Sequence, residues 1–174
     1  MRAATTADVA AIARVHVDAW RSTYRGIVPQ AFLDGLSYRD REALWHRVLN
    51  GPPERHGVFV AEAGAQGIVG FADGARPQTP HLAYEGRLSA IYIVEAFQGR
   101  GLGRDLVLNV VAWFVEHGIR SMLVWVLADN PACRFYEALG GTRIEVTRIE
   151  IGGAGLEEVA YGWADVTRIM RPSR

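Results

Sequence analysis

The stretch Gln98-Gly99-Arg100-Gly101-Leu102-Gly103 constrains this chain more than any other. It follows the apolar, β-branched run Leu88-Ser89-Ala90-Ile91-Tyr92-Ile93-Val94, which reads as a strand. It leads into Leu102 to His117, which reads as a helix. A strand that turns through glycines into a helix forms an anion site. The first N–H groups of a helix lack internal partners, and the positive end of its dipole faces the turn. Gly99, Gly101 and Gly103 carry no Cβ to hold a phosphate off the backbone. Arg100 and Arg104 add charged donors beside those amides. The turn is therefore predicted to hold a pyrophosphate. The bland alternative is a helix entry that only needs small residues.

Two phosphate loops are excluded by spacing. No Gly-Lys-Ser/Thr follows the glycines, so this is not the P-loop of nucleotide triphosphatases. A dinucleotide fold asks for G-x-G-x-x-G, and Asp105 and Leu106 follow where the third glycine should fall. Lys+Arg and Asp+Glu both number 19, so no global field favours nucleic acid or an anionic membrane. With 174 residues the chain suits a single domain, 1–174, with a sizeable core. The lone cysteine excludes an internal disulfide and agrees with a reducing, cytoplasmic setting. No His-x-x-x-His or cysteine cluster supports a metal.

Along the chain, Met1 to Ala4 reads as a short edge strand. Thr5 and Asp8 have capping-box spacing ahead of a helix with Val9, Ile12, His16 and Ala19 at helical intervals. His16 is read as a packed helix residue. Trp20 to Asn50 reads as short helices broken by turns, Arg39 to Leu49 being the best. Val58 to Glu62 and Ile68 to Asp73 read as a hairpin. Gly74 to Tyr84 reads as a loop with His81 solvated. Arg87 to Val94 and the continuously apolar Met122 to Leu127 read as buried strands. Asn130-Pro131 opens another helix, and Gly140-Gly141 ends it. Thr142 to Ile151 and Val159 to Thr167 read as a terminal antiparallel pair.

Gln98-x-x-Gly101-x-Gly103 after an apolar strand resembles the acetyl-CoA signature of the GNAT superfamily, Gln/Arg-x-x-Gly-x-Gly/Ala. Asp129-Asn130-Pro131-Ala132-Cys133-Arg134-Phe135-Tyr136-Glu137-Ala138-Leu139-Gly140 resembles that family's second cofactor segment, Asn-x-x-A-x-x-x-Tyr-x-x-x-Gly. Trp20-Arg-Ser-Thr-Tyr-Arg-Gly-Ile-Val-Pro29 and Glu158-Val-Ala-Tyr-Gly-Trp163 resemble one bacterial subgroup. The resemblance implies a mixed α/β fold: a mostly antiparallel central sheet with one parallel, splayed strand pair, and helices on both faces. It implies acetyl-CoA as co-substrate, a small-molecule or peptide amine as acceptor, and a possible homodimer, with no metal, nucleic acid or membrane.

The same resemblance distributes roles. Backbone groups near Ile91 and Ile93 would bond the pantetheine arm. Gln98, Gly99, Arg100, Gly101, Leu102, Gly103 and Arg104 would hold the pyrophosphate, and the Asn130 side chain would meet the arm. Tyr136 would serve as general acid at the sulfur, since a phenol stays protonated at neutral pH. Trp20, Tyr24 and Arg25 would wall the acceptor groove. Their other reading is packing of helices onto the sheet. Glu85, the nearest acid before the central strand, is the first candidate base. Subgroup members often carry an acid two residues later, where this chain has Arg87. Glu62 and Asp73 are further options. Cys133 lacks an adjacent base for a covalent route. Two other functions fit the motif: a CoA-sensing module without turnover, and a nucleotide-binding oxidoreductase fragment.

Overall fold

A computed structural model describes residues 1–78 and 82–170; His81 lies outside the described residues. The chain runs β1 (Arg2–Ala3), α1 (Val9–Thr23), α2 (Gln30–Asp34), α3 (Tyr38–Leu49), β2 (His56–Glu62), β3 (Ile68–Ala75) and β4 (Gly86–Ile93), then α4 (Leu102–Glu116), β5 (Met122–Leu127), α5 (Ala132–Ala138), β6 (Thr142–Ile151) and β7 (Ala154–Trp163). The strands form one sheet in the order β1-β2-β3-β4-β5-β7-β6. Every neighbouring pair is antiparallel except β4 and β5. This is the mixed α/β architecture expected from the sequence.

The Thr5–Asp8 cap forms as its spacing requires. The Asp8 carboxylate accepts from the Thr5 N–H at 2.8 Å and from its hydroxyl at 3.0 Å. Arg2 also grips Asp8, at 2.7 Å, and holds its carboxyl well below the usual range. The apolar stripe of α1 then packs on one face of the sheet with Trp45 of α3, Val58, Val60 and Phe71. His16 sits inside that layer. Its Nδ1 accepts from the Trp45 indole N–H at 3.1 Å, and its ring stacks on Tyr92 at 4.8 Å. It is a packing residue, as its helical spacing suggested.

Helix α4 covers the opposite face with Leu106, Val107, Val110 and Phe114 fully buried. It lies close because the sheet beneath it lacks side chains. A Cβ on Gly74 would stand 2.4 Å from Val110, and one on Gly57 2.5 Å from Trp113.

Several strand boundaries differ from the sequence reading. β3 continues to Ala75, still paired with β4 through Arg87. β7 begins at Ala154, not Val159, because the chain reverses directly after Ile151 and pairs Ile151 with Ala154. It also ends at Trp163. Asp165 Oδ1 then accepts from the Thr167 N–H and hydroxyl, and Val166 and Ile169 turn into the core.

Candidate active site

The site follows from one broken strand pair. β4 and β5 pair only at Gly86–Met122 and Arg87–Leu123, and from Leu88 onward they part. A bulge marks the parting: β3 pairs Gly74 with Leu88 and then Asp73 with Ala90, leaving Ser89 as the extra residue. Such a bulge bends a strand and raises its twist. Beyond it, the Val94 N–H donates to Val69 O at 2.9 Å. Backbone groups alternate sides along a strand, so Tyr92 and Ala90 also face β3. Ile91 and Ile93 therefore turn their N–H and C=O groups into the gap. One of these is already in use, since the Gln98 side-chain amide donates to Ile93 O at 3.0 Å.

The gap widens into a cleft of about 1080 Å³. Ile91, Ile93, Gln98, Gly99, Gly101, Gly103, Arg104, Asn130, Tyr136 and Tyr24 all line it. Ser89, Tyr92, Trp125 and Phe135 line it too, and the motifs did not single these out. Alternation in the two strands is the signal that would have found them, because the gap exposes residues from both.

At the mouth of the cleft, Gly99 and Gly101 take φ values of +71° and +85°. Only glycine adopts these freely, so the turn ahead of α4 requires glycine at both positions. A Cβ at either position would meet nothing within 4 Å, so the turn borders open space. Gly103 differs. A Cβ there would press Phe135 at 3.3 Å, so this glycine lets α4 approach α5. Arg104 lines the cleft and donates to Ile169 O at 3.3 Å. Arg100 turns back instead, bonding Ala96 O at 2.9 Å and lying over Phe97. Leu102 packs into the core rather than lining the cleft.

At the inner end stand three phenols. Tyr136 is buried, with an edge-on contact to Trp163. Tyr24 Oη accepts from Asn130 Nδ2 at 3.2 Å, while Asn130 Oδ1 caps α5 by accepting from the Ala132 N–H at 2.9 Å. Asn130 thus serves as cap and as a wall of the cleft at once. Burial, reinforced by the neighbouring phenols, pushes the Tyr24 and Tyr136 hydroxyls up, and burial does the same to Tyr92. All three stay protonated over the working range.

Several expected contacts lie elsewhere. Glu85 stands beyond the end where β4 and β5 are still paired. Its carboxylate accepts from the Arg120 N–H, so it is held away from the cleft and does not fit the role of base. Trp20 packs among His16, Tyr24 and Phe32. Arg25 is exposed on the turn after α1, outside the cleft lining. Glu62 pairs with Arg2 at the sheet edge, and buried Asp73 pairs with His56 at 3.1 Å. Cys133 Sγ points at Leu127 O and Ala128 O, and burial raises its thiol, which disfavours the thiolate.

Comparison with known proteins agrees with this geometry. A family model described as FR47-like protein matches residues 79–149. The chain is 38% identical to the uncharacterized N-acetyltransferase YuaI of Bacillus subtilis (strain 168), over 97% of this chain and 95% of that one. A GCN5-related N-acetyltransferase from Rhodopseudomonas palustris superposes with a TM-score of 0.71 at 20% identity, covering 92% of each chain. The yncA structure from Salmonella typhimurium, solved with its cofactor acetyl-CoA, gives 0.69 at 23% identity, covering 94% of this chain and 92% of that one. Fold and relatives together define an acetyltransferase enzyme. The chain belongs to the GCN5-related N-acetyltransferase (GNAT) superfamily.

Proposed function

We propose that this enzyme moves an acetyl group from acetyl-CoA to a primary amine, by direct attack within a ternary complex. The observation that carries the proposal is the parting of β4 from β5, which opens a slot from the glycine turn to Tyr136. The residues present fit the co-substrate. The glycine turn at Gly99 and Gly101 suits a pyrophosphate at the N-terminus of a fifteen-residue helix, with Arg104 also lining the cleft. Gap-facing groups of Ile91 and Ile93 suit the amides of a pantetheine arm.

Acetyl-CoA, when bound, supplies an activated acyl carbon and a sulfur leaving group. The protein does the rest. The Ile91 N–H is aimed to hold the acyl oxygen as charge grows there, the logic of an oxyanion hole. As the C–N bond forms and the C–S bond breaks, the Tyr136 hydroxyl donates to the sulfur, which departs with the bonding pair. Over the cycle an ammonium loses two protons; the sulfur keeps one and solvent takes the other. Thiol release from acetyl-CoA across a broad amine panel tests the reading. Tight CoA binding by calorimetry with no release on any amine would instead select the sensing module.

A further inference from the structure

On the side of the sheet facing α1 and α2, the floor beyond the cleft carries two opposite charges. Strand parity fixes which side chains share that face. Leu88, Val124, Val126, Val159 and Tyr161 all pack against α4. Their neighbours Arg87, Trp125, Glu158 and Ala160 therefore point the other way. Leu156, two residues before Glu158, confirms the parity, because it packs with Tyr24, Leu127 and Tyr92. Arg87 pairs with Leu123 on β5, Ala160 with Trp125, and Glu158 with Leu127. Half-exposed Trp125 thus lies between the guanidinium and the carboxyl, and it lines the cleft.

Neither charge is spent on the fold. Arg87 is exposed and forms no ion pair among the described residues, since the nearby Asp73 carboxylate is taken by His56. Glu158 is half-buried and forms no ion pair among them either. Burial raises its carboxyl, and the Arg87 charge opposes that rise, so the guanidinium lies within electrostatic reach of it. The four-residue step from Leu123 to Leu127 spans about 13 Å of strand. That span leaves room for a small molecule between two long side chains. Glu158 lies near the level of Ile91, where the acyl oxygen is placed above.

We propose that the acceptor is a zwitterion, a small amine that also bears a carboxylate or similar anion, whose anionic group rests on Arg87 and whose ammonium meets Glu158. This rests on the acetyl-transfer reading and gives it a substrate class. Glu158 then takes the proton that frees the amine lone pair and returns it to solvent, the task for which Glu85 is misplaced. Arg87 stands where an acid was expected from the subgroup, and its positive charge selects against simple cationic acceptors that an acid would welcome.

The test is thiol release from acetyl-CoA with matched acceptors: L-amino acids, ω-amino carboxylates of increasing length, their carboxamides, and plain alkylamines. At least one carboxylate-bearing amine should exceed its own carboxamide in kcat/KM by about 10- to 100-fold, the worth of one charged hydrogen bond. Arg87→Gln should erase that preference through KM, and Arg87→Lys should restore part of it, with acetyl-CoA affinity unchanged in both. Glu158→Gln should lower kcat by about 100-fold or more. Equal use of acid and carboxamide, or a preference that survives Arg87→Gln, overturns this inference alone. No release with any amine, although acetyl-CoA binds, overturns the transfer reading as well.

Discussion

Tyr136 and Asn130 show how much a single residue can carry. The sequence offered Asn130 as either helix cap or cofactor contact. The structure gives its two amide atoms different work: Oδ1 caps α5 and Nδ2 reaches Tyr24. Tyr136 lies about one turn into the same helix, buried and lining the cleft. Replacing it with phenylalanine keeps the ring packing and deletes only the donor. kcat should fall by about 10- to 100-fold while the acetyl-CoA dissociation constant changes little; an unaltered rate would remove its role as acid. Gly101 makes the complementary case. Valine at φ +85° is strained and would force the turn out of this conformation. Calorimetry on Gly101→Val should show CoA affinity reduced by about tenfold or more, with wild-type affinity counting against the turn as the phosphate site. Glu85 is the acid nearest in sequence to the central strand, but proximity along a chain says nothing about which end of a splayed pair is open.

At the scale of elements, apolar periodicity identified the helices and the buried strands, while their ends were set by pairing. Ala154 to Glu158, ahead of the expected strand start at Val159, contains glycine and two adjacent acids, a weak strand signal. It is strand because β6 is already laid down beside it. The layer formed by α1, α3 and β4 carries a pH signature. Burial lowers His16 to about 3, from an ordinary value of 6.5. Above pH 6.5 it is neutral folded and unfolded. As pH falls, the unfolded chain gains a proton that the folded one refuses, so its contribution to stability is progressively lost between 6.5 and about 3. His56 behaves oppositely. The Asp73 carboxylate raises it, so its contribution is complete below 6.5 and is lost as pH climbs through the raised value. Urea unfolding should therefore show stability falling from pH 6.5 to 5 in the wild type and a flatter slope in His16→Leu. Loss of that difference would mean the histidine is protonated in the fold. On the other face, Gly74→Ala should cost about 1–3 kcal/mol by pushing on Val110, read as a lower urea midpoint.

For the molecule as a whole, the sheet's incomplete closure is the feature to perturb. A ligand seated between β4 and β5 binds only the folded state. Acetyl-CoA at 100 times its dissociation constant should add about 2.7 kcal/mol of stability. For a domain of this size that raises Tm by roughly 5–11 °C; no shift at that concentration would mean that the folded chain does not bind acetyl-CoA. The element types, the glycine turn and the family are legible in the residues alone, because these depend on local periodicity and on which residues tolerate positive φ or cap a helix. Three-dimensional packing was needed to reveal that β4 leaves β5 after two paired residues, that Glu85 falls on the closed side of that point, and that Arg87, Trp125 and Glu158 share one face. Those facts depend on strand order, a bulge at Ser89 and the parity of three strands distant along the chain, and no local pattern encodes such relations.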